Sequence, residues 1–172
     1  MHHTIIESIA AHMRPKVYVE LGIAVCGTLN RVSPHAEEIY AVDAGQSCEI
    51  NIADKEKVRF HGEYTTSFAE RWNKEIRKPI DLIFIDADHS ASSVRKDVEN
   101  FLPWLQPSTG LMILHDTWPP TPEHANPSNC GDCYKIKPWL RELSHNLEIC
   151  TIPTQYGLTL IRKLGTDWRE GL

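Results

Sequence analysis

The chain has 172 residues, of which 41% are hydrophobic and 24% are charged, and its formal net charge is −5. This length and composition suit one globular domain, so we predict a single domain over residues 1–172. An acidic chain without a lysine- and arginine-rich stripe is unlike a nucleic-acid-binding protein, and no apolar stretch is long enough to cross a membrane. Five scattered cysteines and no apolar leader predict reduced thiols and a cytoplasmic location.

The chain begins with a helical pattern and continues into a strand that ends at a glycine turn. Apolar residues recur on one face of residues 4–13, which predicts a leading helix. The strand-like run 17–21 carries Glu20 and is followed by Gly22, and a second strand-like run closes on Asp43. A short helix over residues 28–33 is expected between them. This order of strand, turn, helix, strand and acid is the first half of a nucleotide-binding βαβ unit.

The glycine turn discriminates between cofactors. Residues 22–27 match the dinucleotide pattern G-x-G-x-x-G only if Ala24 replaces the middle glycine. Glu20 would repel a pyrophosphate but would help to hold an ammonium or sulfonium charge, unless it is only a surface carboxylate at a strand end. S-adenosylmethionine carries both charges and no phosphate. We therefore predict this cofactor, with Asp43 on the ribose hydroxyls.

Three further strand patterns are also followed by polar side chains. Residues 57–61 predict a third strand, and Glu63 and Tyr64 lie in the loop after it. The buried-strand pattern at residues 80–85 ends at Asp86, and that at residues 111–114 is followed by His115 and Asp116. In a doubly wound sheet these carboxylates emerge at one edge, where ligands bind.

Two converging carboxylates are electrostatically costly unless a cation or a proton lies between them. Oxygen ligands of this kind suit Mg²⁺, with Ca²⁺ and Mn²⁺ as competitors. The plain alternative after the fourth strand is helix capping by Asp88 or Ser90, and we expect Asp88 to cap a helix that begins near Ala91. Asp86 and Asp116 remain the metal candidates.

The segments 81–90 and 110–117 resemble the core of the metal-dependent small-molecule O-methyltransferases of the sugar, macrolide and catechol type. Cephalosporin-hydroxylase-like proteins share the same metal-site pattern. Residues 20–28 resemble the first motif of the class I S-adenosylmethionine-dependent methyltransferases, E-x-G-x-x-x-G-G-[ST], with Cys26 in place of one glycine. The resemblance extends over residues 16–163.

This resemblance implies a fold and a set of site residues. The fold would be α/β, a Rossmann-like, doubly wound and mostly parallel sheet of about seven strands, closed by an antiparallel hairpin from residues 147–152 and 158–162. Asp86 and Asp116 would ligate the divalent metal, with Thr117 as a further oxygen ligand. His89 would be the general base, although it also suits a helix-start histidine bonded to the backbone. The cofactor-binding residues would be Glu20, Gly22, Ala24, Gly27, Thr28, Asp43, Glu63, Tyr64 and Asp86.

Residues 117–133 depart from the regular pattern, since they hold four prolines and the pair Cys130 and Cys133. A loop of this length inside a compact domain is usually functional, so we predict that it forms the acceptor-side wall of the site. Structural zinc needs four ligands and no second cysteine pair is present, so reduced thiols are the default.

The sequence thus predicts an S-adenosylmethionine-dependent enzyme that methylates a hydroxyl group of a small acceptor with the help of a divalent cation, most simply Mg²⁺. A nicotinamide-dependent oxidoreductase is the first alternative, favoured by Asp43 and the partial glycine pattern. A methyltransferase-fold binding protein without turnover is the second. The expected partner is a small-molecule acceptor, and we expect binding to neither nucleic acid nor membrane. The sequence is compatible with a homo-oligomer.

Overall fold

The fold is built on one seven-stranded sheet, seen in a computed structural model that describes residues 2–165. The strands are β1 Val17–Leu21, β2 Glu38–Val42, β3 Val58–His61, β4 Leu82–Ile85, β5 Leu111–Leu114, β6 Leu147–Ile152 and β7 Leu158–Lys163. Their order in the sheet is β3-β2-β1-β4-β5-β7-β6. Strands β1 to β5 pair in parallel, and β7 runs antiparallel to both β5 and β6. The predicted fold class, including the terminal hairpin, is confirmed.

Five α-helices accompany the strands in the described residues. They are α1 His2–Met13, α2 Leu29–Val32, α3 Thr65–Arg71, α4 Ala91–Phe101 and α5 Ile136–Glu142. The predicted helix after β3 continues beyond α3 as a π-helical turn, Trp72–Ile76. No helix within residues 2–165 has both the length and the apolar character that crossing a membrane requires.

The sheet is covered on both faces, which explains its continuous apolar strands. All five residues of β1 are buried, as is typical of a parallel strand between two helical layers. Val19 faces a core formed with Trp72 and Phe101, on the side of α3 and α4. Its neighbour Tyr18 faces the opposite core, which contains Ile6 of α1.

The strand order places the carboxyl ends of the central strands around a single crevice. The chain crosses from β1 outward to β2 and β3, then returns to β4 on the other side of β1. Such a switch point is where open α/β sheets bind ligands. The ends of β1, β2, β4 and β5 there present Gly22, Asp43, Asp86 and Asp116 respectively.

The helix cap differs from the prediction. Helix α4 does begin at Ala91, but Ser90 is its N-cap and accepts a hydrogen bond from the backbone N–H of Ser93 at 3.3 Å. Asp88 instead accepts a hydrogen bond from the N–H of Ser90 at 2.7 Å. The expectation that Asp88 caps the helix was wrong because its side chain satisfies the residue just before the helix.

Candidate active site

The turn after β1 packs directly against the end of β4. Gly22 has a φ of +84°, and a Cβ atom at this position would lie 2.3 Å from the carbonyl oxygen of Asp86. The N–H of Gly22 donates to the carbonyl of Val42, and the N–H of Asp86 donates to the carbonyl of Leu21, both at 2.8 Å. Only glycine allows this backbone conformation and this close approach at low cost. The glycine turn and Asp86 are therefore neighbours.

The carboxylate of Asp43 secures the same turn. One oxygen accepts hydrogen bonds from the N–H groups of Ile23 and Ala24, both at 3.0 Å, and the other accepts from Gly45 at 2.7 Å. Each carboxylate oxygen can accept more than one hydrogen bond. Asp43 can thus shape the turn and still receive hydroxyl groups of a ligand.

A cavity of about 600 Å³ opens at this edge of the sheet. His89, His115, Ser128 and Asn129 contribute to its wall. Of the predicted site residues, it is lined by Gly22, Ala24, Asp43, Glu63, Tyr64, Asp86, His89 and Asp116. The structure therefore brings most of the predicted cofactor residues and metal carboxylates to one place.

Glu20 lies outside that lining. Its side chain is only 2% exposed, and it accepts a hydrogen bond from the hydroxyl of Tyr18 at 2.5 Å. Burial raises the pKa of Glu20 to about 8, against the opposing effect of the Tyr18 hydrogen bond. Burial therefore favours the neutral form of Glu20 over the carboxylate that the prediction of a cationic ligand assumed.

Gly27 and Thr28 also lie away from the cavity wall, under the first turn of α1. A Cβ atom on Gly27 would be 3.1 Å from the ring of His3. The Nδ1 atom of His3 is 2.7 Å from the hydroxyl oxygen of Thr28, which is itself buried. Sequence reasoning could not foresee this contact, because α1 lies about 25 residues earlier in the chain.

Three side chains form a candidate metal group at the ends of β4 and β5. Asp86, His115 and Asp116 each offer a ligand atom, and these atoms lie within 4.8 Å of one another. The Nδ1 atom of His115 is 3.0 Å from Asp86 Oδ1 and 3.3 Å from Asp116 Oδ1. Within residues 2–165, no other set of three His, Cys, Asp or Glu side chains comes this close together.

His115 is the member that the sequence prediction missed, although it directly precedes Asp116. Its side chain is 7% exposed, and its Nε2 atom lies 3.2 Å from the carbonyl oxygen of Gln155. Burial alone would lower the pKa of His115, but hydrogen bonds and negative charge from Asp116 and Asp86 outweigh it and raise the pKa to about 10. Without a metal ion, the protonated ring balances the two carboxylates.

Thr117 is placed differently from the other predicted metal ligands. The residue is fully buried, and its hydroxyl oxygen accepts a hydrogen bond from the hydroxyl of Thr159 on β7 at 2.8 Å. Its hydroxyl is therefore already engaged with the terminal hairpin.

His89 reaches the same carboxylates from the start of α4. Its Nε2 atom lies 3.3 Å from Asp116 Oδ2 and 3.8 Å from Asp86 Oδ1. Its Nδ1 atom is hydrogen-bonded to the carbonyl oxygen of Asn129. Because a carbonyl can only accept, Nδ1 carries the hydrogen, and Nε2 is the nitrogen that faces the carboxylates and is left to exchange a proton with a ligand. A general base at this position requires that arrangement.

The proline-rich loop contributes Ser128 and Asn129 to the cavity wall. Cys130 and Cys133 in the same loop are free thiols and are buried. Burial raises the pKa of Cys130 to about 12, and it raises that of Cys133 as well. Protonated, buried thiols are poor nucleophiles and poor metal ligands.

A mostly parallel α/β sheet with a cavity at its switch point is typical of domains that bind nucleotide-like cofactors. A family model described as a methyltransferase domain matches residues 19–117. The match covers more than half of the chain, so the chain belongs to this family of methyltransferase domains. The match does not favour the nicotinamide-dependent oxidoreductase. A comparison with curated proteins finds no significant match.

Solved structures share the fold at low sequence identity. The O-methyltransferase TomG from Streptomyces achromogenes, involved in tomaymycin synthesis and solved with SAM, gives a TM-score of 0.73 at 13% identity. An O-methyltransferase from Bacillus cereus solved with SAH gives 0.73 at 11% identity. Both alignments cover 95% of this chain and 80% of the other. An SAH-bound methyltransferase from Podospora anserina gives 0.68 at 17% identity, over 95% of this chain and 78% of the other.

Proposed function

We propose that this chain transfers a methyl group from S-adenosylmethionine to a hydroxyl group of a small acceptor, with the help of a divalent cation. The observation that carries the proposal is the convergence of Asp43, Asp86, His89 and Asp116 on one cavity next to the Gly22 turn. Membership of the methyltransferase family supports the reaction class. O-methyltransferases of the same fold, solved with SAM or SAH, support the cofactor and the oxygen acceptor.

The cavity residues divide into two regions. Asp43, Glu63 and Tyr64 follow β2 and β3, so they would face the adenosine part of the cofactor. Asp86 and Asp116 follow β4 and β5, so they would face its reactive end. The cofactor supplies an electrophilic methyl group on a sulfonium sulfur, and the protein's task is to align the acceptor oxygen with it.

The donor set of Asp86, His115 and Asp116 fits a divalent cation. Ligands at about 2.1 Å from an octahedral ion lie about 3.0 Å apart, close to the separations between His115 Nδ1 and the two carboxylates. The Gln155 carbonyl orients the ring through Nε2, as is common for metal-binding histidines. When bound, the cation would act as a Lewis acid that lowers the pKa of the acceptor hydroxyl.

An imidazole ligand alters the expected metal. Mg²⁺ prefers oxygen ligands alone, whereas a mixed set of nitrogen and carboxylate ligands suits first-row transition ions. We therefore propose Mn²⁺ or a similar ion in place of Mg²⁺. Titration of the full chain with each metal ion should give a lower Kd for Mn²⁺ than for Mg²⁺. In His115→Ala, the two Kd values should lie closer together. An unchanged preference in His115→Ala would exclude His115 as a ligand.

His89 would take the acceptor proton on Nε2. The ring would then become a cation 3.3 Å from Asp116 Oδ2, where the carboxylate stabilises it. During this transfer the N–H at Nδ1 would keep donating its hydrogen bond to the carbonyl oxygen of Asn129. The metal group and His89 thus divide the activation of the hydroxyl between them.

Cofactor binding tests the proposal most simply. SAM and SAH should raise the melting temperature of the full chain, whereas NAD and NADP should not, because a ligand stabilises the native state in proportion to its occupancy. Asp43→Ala should weaken SAH binding by about 1–3 kcal/mol in calorimetry. Stabilisation by NAD and not by SAH would refute the assignment.

Transfer of labelled methyl groups to a panel of catechols, sugars and hydroxylated metabolites would separate an enzyme from a binding protein.

A further inference from the structure

Residues 129–132, which we call the His89 clasp, contact both the ring and the main chain of His89. The carbonyl of Asn129 accepts the hydrogen bond from Nδ1. The N–H of Asp132 donates to the carbonyl oxygen of His89 at 3.0 Å. The Oδ1 atom of Asp132 also accepts from the N–H of Ala91, the first residue of α4, at 2.7 Å. One short segment thus fixes residue 89 and the helix that follows it.

The clasp approaches His89 so closely that one position requires glycine. Gly131 has a φ of +54°, and a Cβ atom there would lie 2.0 Å from the carbonyl oxygen of His89 and 2.8 Å from its Cβ atom. Any larger residue would have to displace either the clasp or His89. The contact between the two backbones therefore depends on the absence of a side chain at position 131.

The clasp is held by the loop independently of His89. The N–H of Gly131 donates to the carbonyl of Asn126 at 2.8 Å, and the N–H of Cys130 donates to that of His124 at 3.1 Å. Cys133, directly after the clasp, is 2% exposed and packs in the core beside α4. A segment supported in this way can restrict the position and ring orientation of a neighbouring residue.

We infer that the His89 clasp positions His89 for proton transfer, a role that rests on the function proposed above. The carbonyl of Asn129 holds the hydrogen on Nδ1, so that Nε2, on the side of Asp116 and Asp86, is the nitrogen that would exchange the proton. Gly131 and Asp132 act only through His89, so they are positioning residues.

With His89 as the base, every bond that would break in the methyl transfer has a matching bond that would form. The acceptor O–H bond breaks as an N–H bond forms at Nε2 of His89, and the ring becomes an imidazolium. The acceptor oxygen forms a bond to the methyl carbon as the carbon–sulfur bond breaks, so the sulfonium becomes the neutral thioether of SAH. No further reactant is needed.

Nitrogen-15 NMR of the histidine rings tests the inference without any acceptor. The full chain is measured at about pH 9, and the His89→Ala spectrum assigns the signal. In the wild type, the hydrogen should lie on Nδ1 of His89. In Asp132→Ala, the share of the other tautomer should rise about fivefold, the effect of weakening one hydrogen bond by about 1 kcal/mol.

Two control variants show whether the effect of Asp132→Ala comes from the lost hydrogen bond to Ala91 or from the lost negative charge of Asp132. Asp132→Asn keeps an oxygen that can accept from Ala91, so it should restore the wild-type tautomer. Lys135→Ala removes the 3.2 Å ion pair with Asp132 but keeps the Asp132 side chain on Ala91, so it should leave the tautomer unchanged. Gly131→Ala should shift the tautomer in the same direction as Asp132→Ala, and where Gly131→Ala does not fold, the Asp132 variants decide.

The outcomes for the clasp and for the proposed function differ. A wild-type tautomer in a folded Asp132→Ala protein would overturn the positioning role, whatever the turnover. Wild-type turnover in His89→Ala would refute the base role, even where the tautomer responds to Asp132→Ala. A shift that Asp132→Asn reverses supports the inference.

Discussion

Two histidines at the site differ because their ring nitrogens meet different partners. His115 turns Nδ1 toward Asp86 and Asp116 and engages Gln155 through Nε2, which suits a metal ligand. His89 engages Asn129 through Nδ1 and keeps Nε2 beside the carboxylates, which suits a base. The proposed roles of the two rings therefore follow from the hydrogen-bond partner of the nitrogen that points away from the carboxylates, Gln155 for His115 and Asn129 for His89.

Replacement of His89 by alanine should lower turnover by about 10²–10⁴-fold and leave SAH affinity almost unchanged. The reason is that Nε2 would accept the acceptor proton, whereas the residues that we propose for the adenosine part, Asp43 and Tyr64, lie elsewhere in the cavity wall. The measurement is methyl transfer to whichever acceptor the panel identifies, with SAH calorimetry in parallel. His12→Ala, an exposed histidine on α1, is the matched control. Equal turnover in wild type and His89→Ala would leave the metal as the sole activator.

The buried Glu20 should make stability depend on pH. Its pKa of about 8 exceeds the ordinary value of 4.5, so the native state holds a proton that the unfolded state releases. Stability of the wild type should therefore fall, relative to Glu20→Gln, as the pH rises from about 4.5 to about 8, by on the order of 2–5 kcal/mol. Urea unfolding of both proteins without cofactor measures the difference. A difference that does not change with pH would show that Glu20 is ionised in the native state.

At the residue scale, sequence reasoning found the carboxylates but not their surroundings. Asp43, Asp86 and Asp116 follow strands, and that position alone predicts the ligand edge. The burial of Glu20 beside Tyr18 and the ring orientation of His115 depend on packing between distant segments. The spacing of apolar and polar residues along the sequence does not predict such contacts.

At the scale of elements, the turn between β1 and α2 depends on the end of β4. Replacement of Gly22 by alanine would put a Cβ atom 2.3 Å from the carbonyl of Asp86 at a φ of +84°. We expect a loss of about 2–4 kcal/mol in the free energy of unfolding, together with weaker SAH binding. Denaturant unfolding and calorimetry measure both effects.

Gly62→Ala is the control for that substitution. A Cβ atom on Gly62 would come closest to the flexible side chain of Gln46, at 3.1 Å, so a small effect on stability is expected. Equal losses in Gly22→Ala and Gly62→Ala would contradict the special role of the Gly22 turn.

The strands and most helices could be predicted because each shows its own period in the sequence. The terminal hairpin and the start of α4 at Ala91 are examples. The cap at Ser90 could not be separated from Asp88, because both residue types cap helices and lie two positions apart. The contact between His89 and Asn129 joins residues 40 positions apart across an irregular loop, and no local sequence pattern predicts it.

At the scale of the whole molecule, the parallel sheet gathers groups that are far apart in sequence. Gly22, Asp43, Asp86 and Asp116 extend over almost a hundred residues and meet because parallel strands share a carboxyl edge. The doubly wound class was predictable from alternating strands and helices. The prediction of one domain over residues 1–172 remains a prediction, since residue 1 and residues 166–172 lie outside the described part of the chain.

We propose that the cofactor's methyl group and a divalent cation bind side by side in this cavity. The direct measurement is carbon-13 NMR of SAM labelled at its S-methyl group, with the full chain and increasing Mn²⁺. Because Asp86, His115 and Asp116 line the cavity, bound paramagnetic Mn²⁺ should broaden the methyl signal in the wild type. Asp116→Ala should bind SAM with much less broadening. Equal broadening in both proteins, or SAM binding without broadening in the wild type, would contradict the shared site.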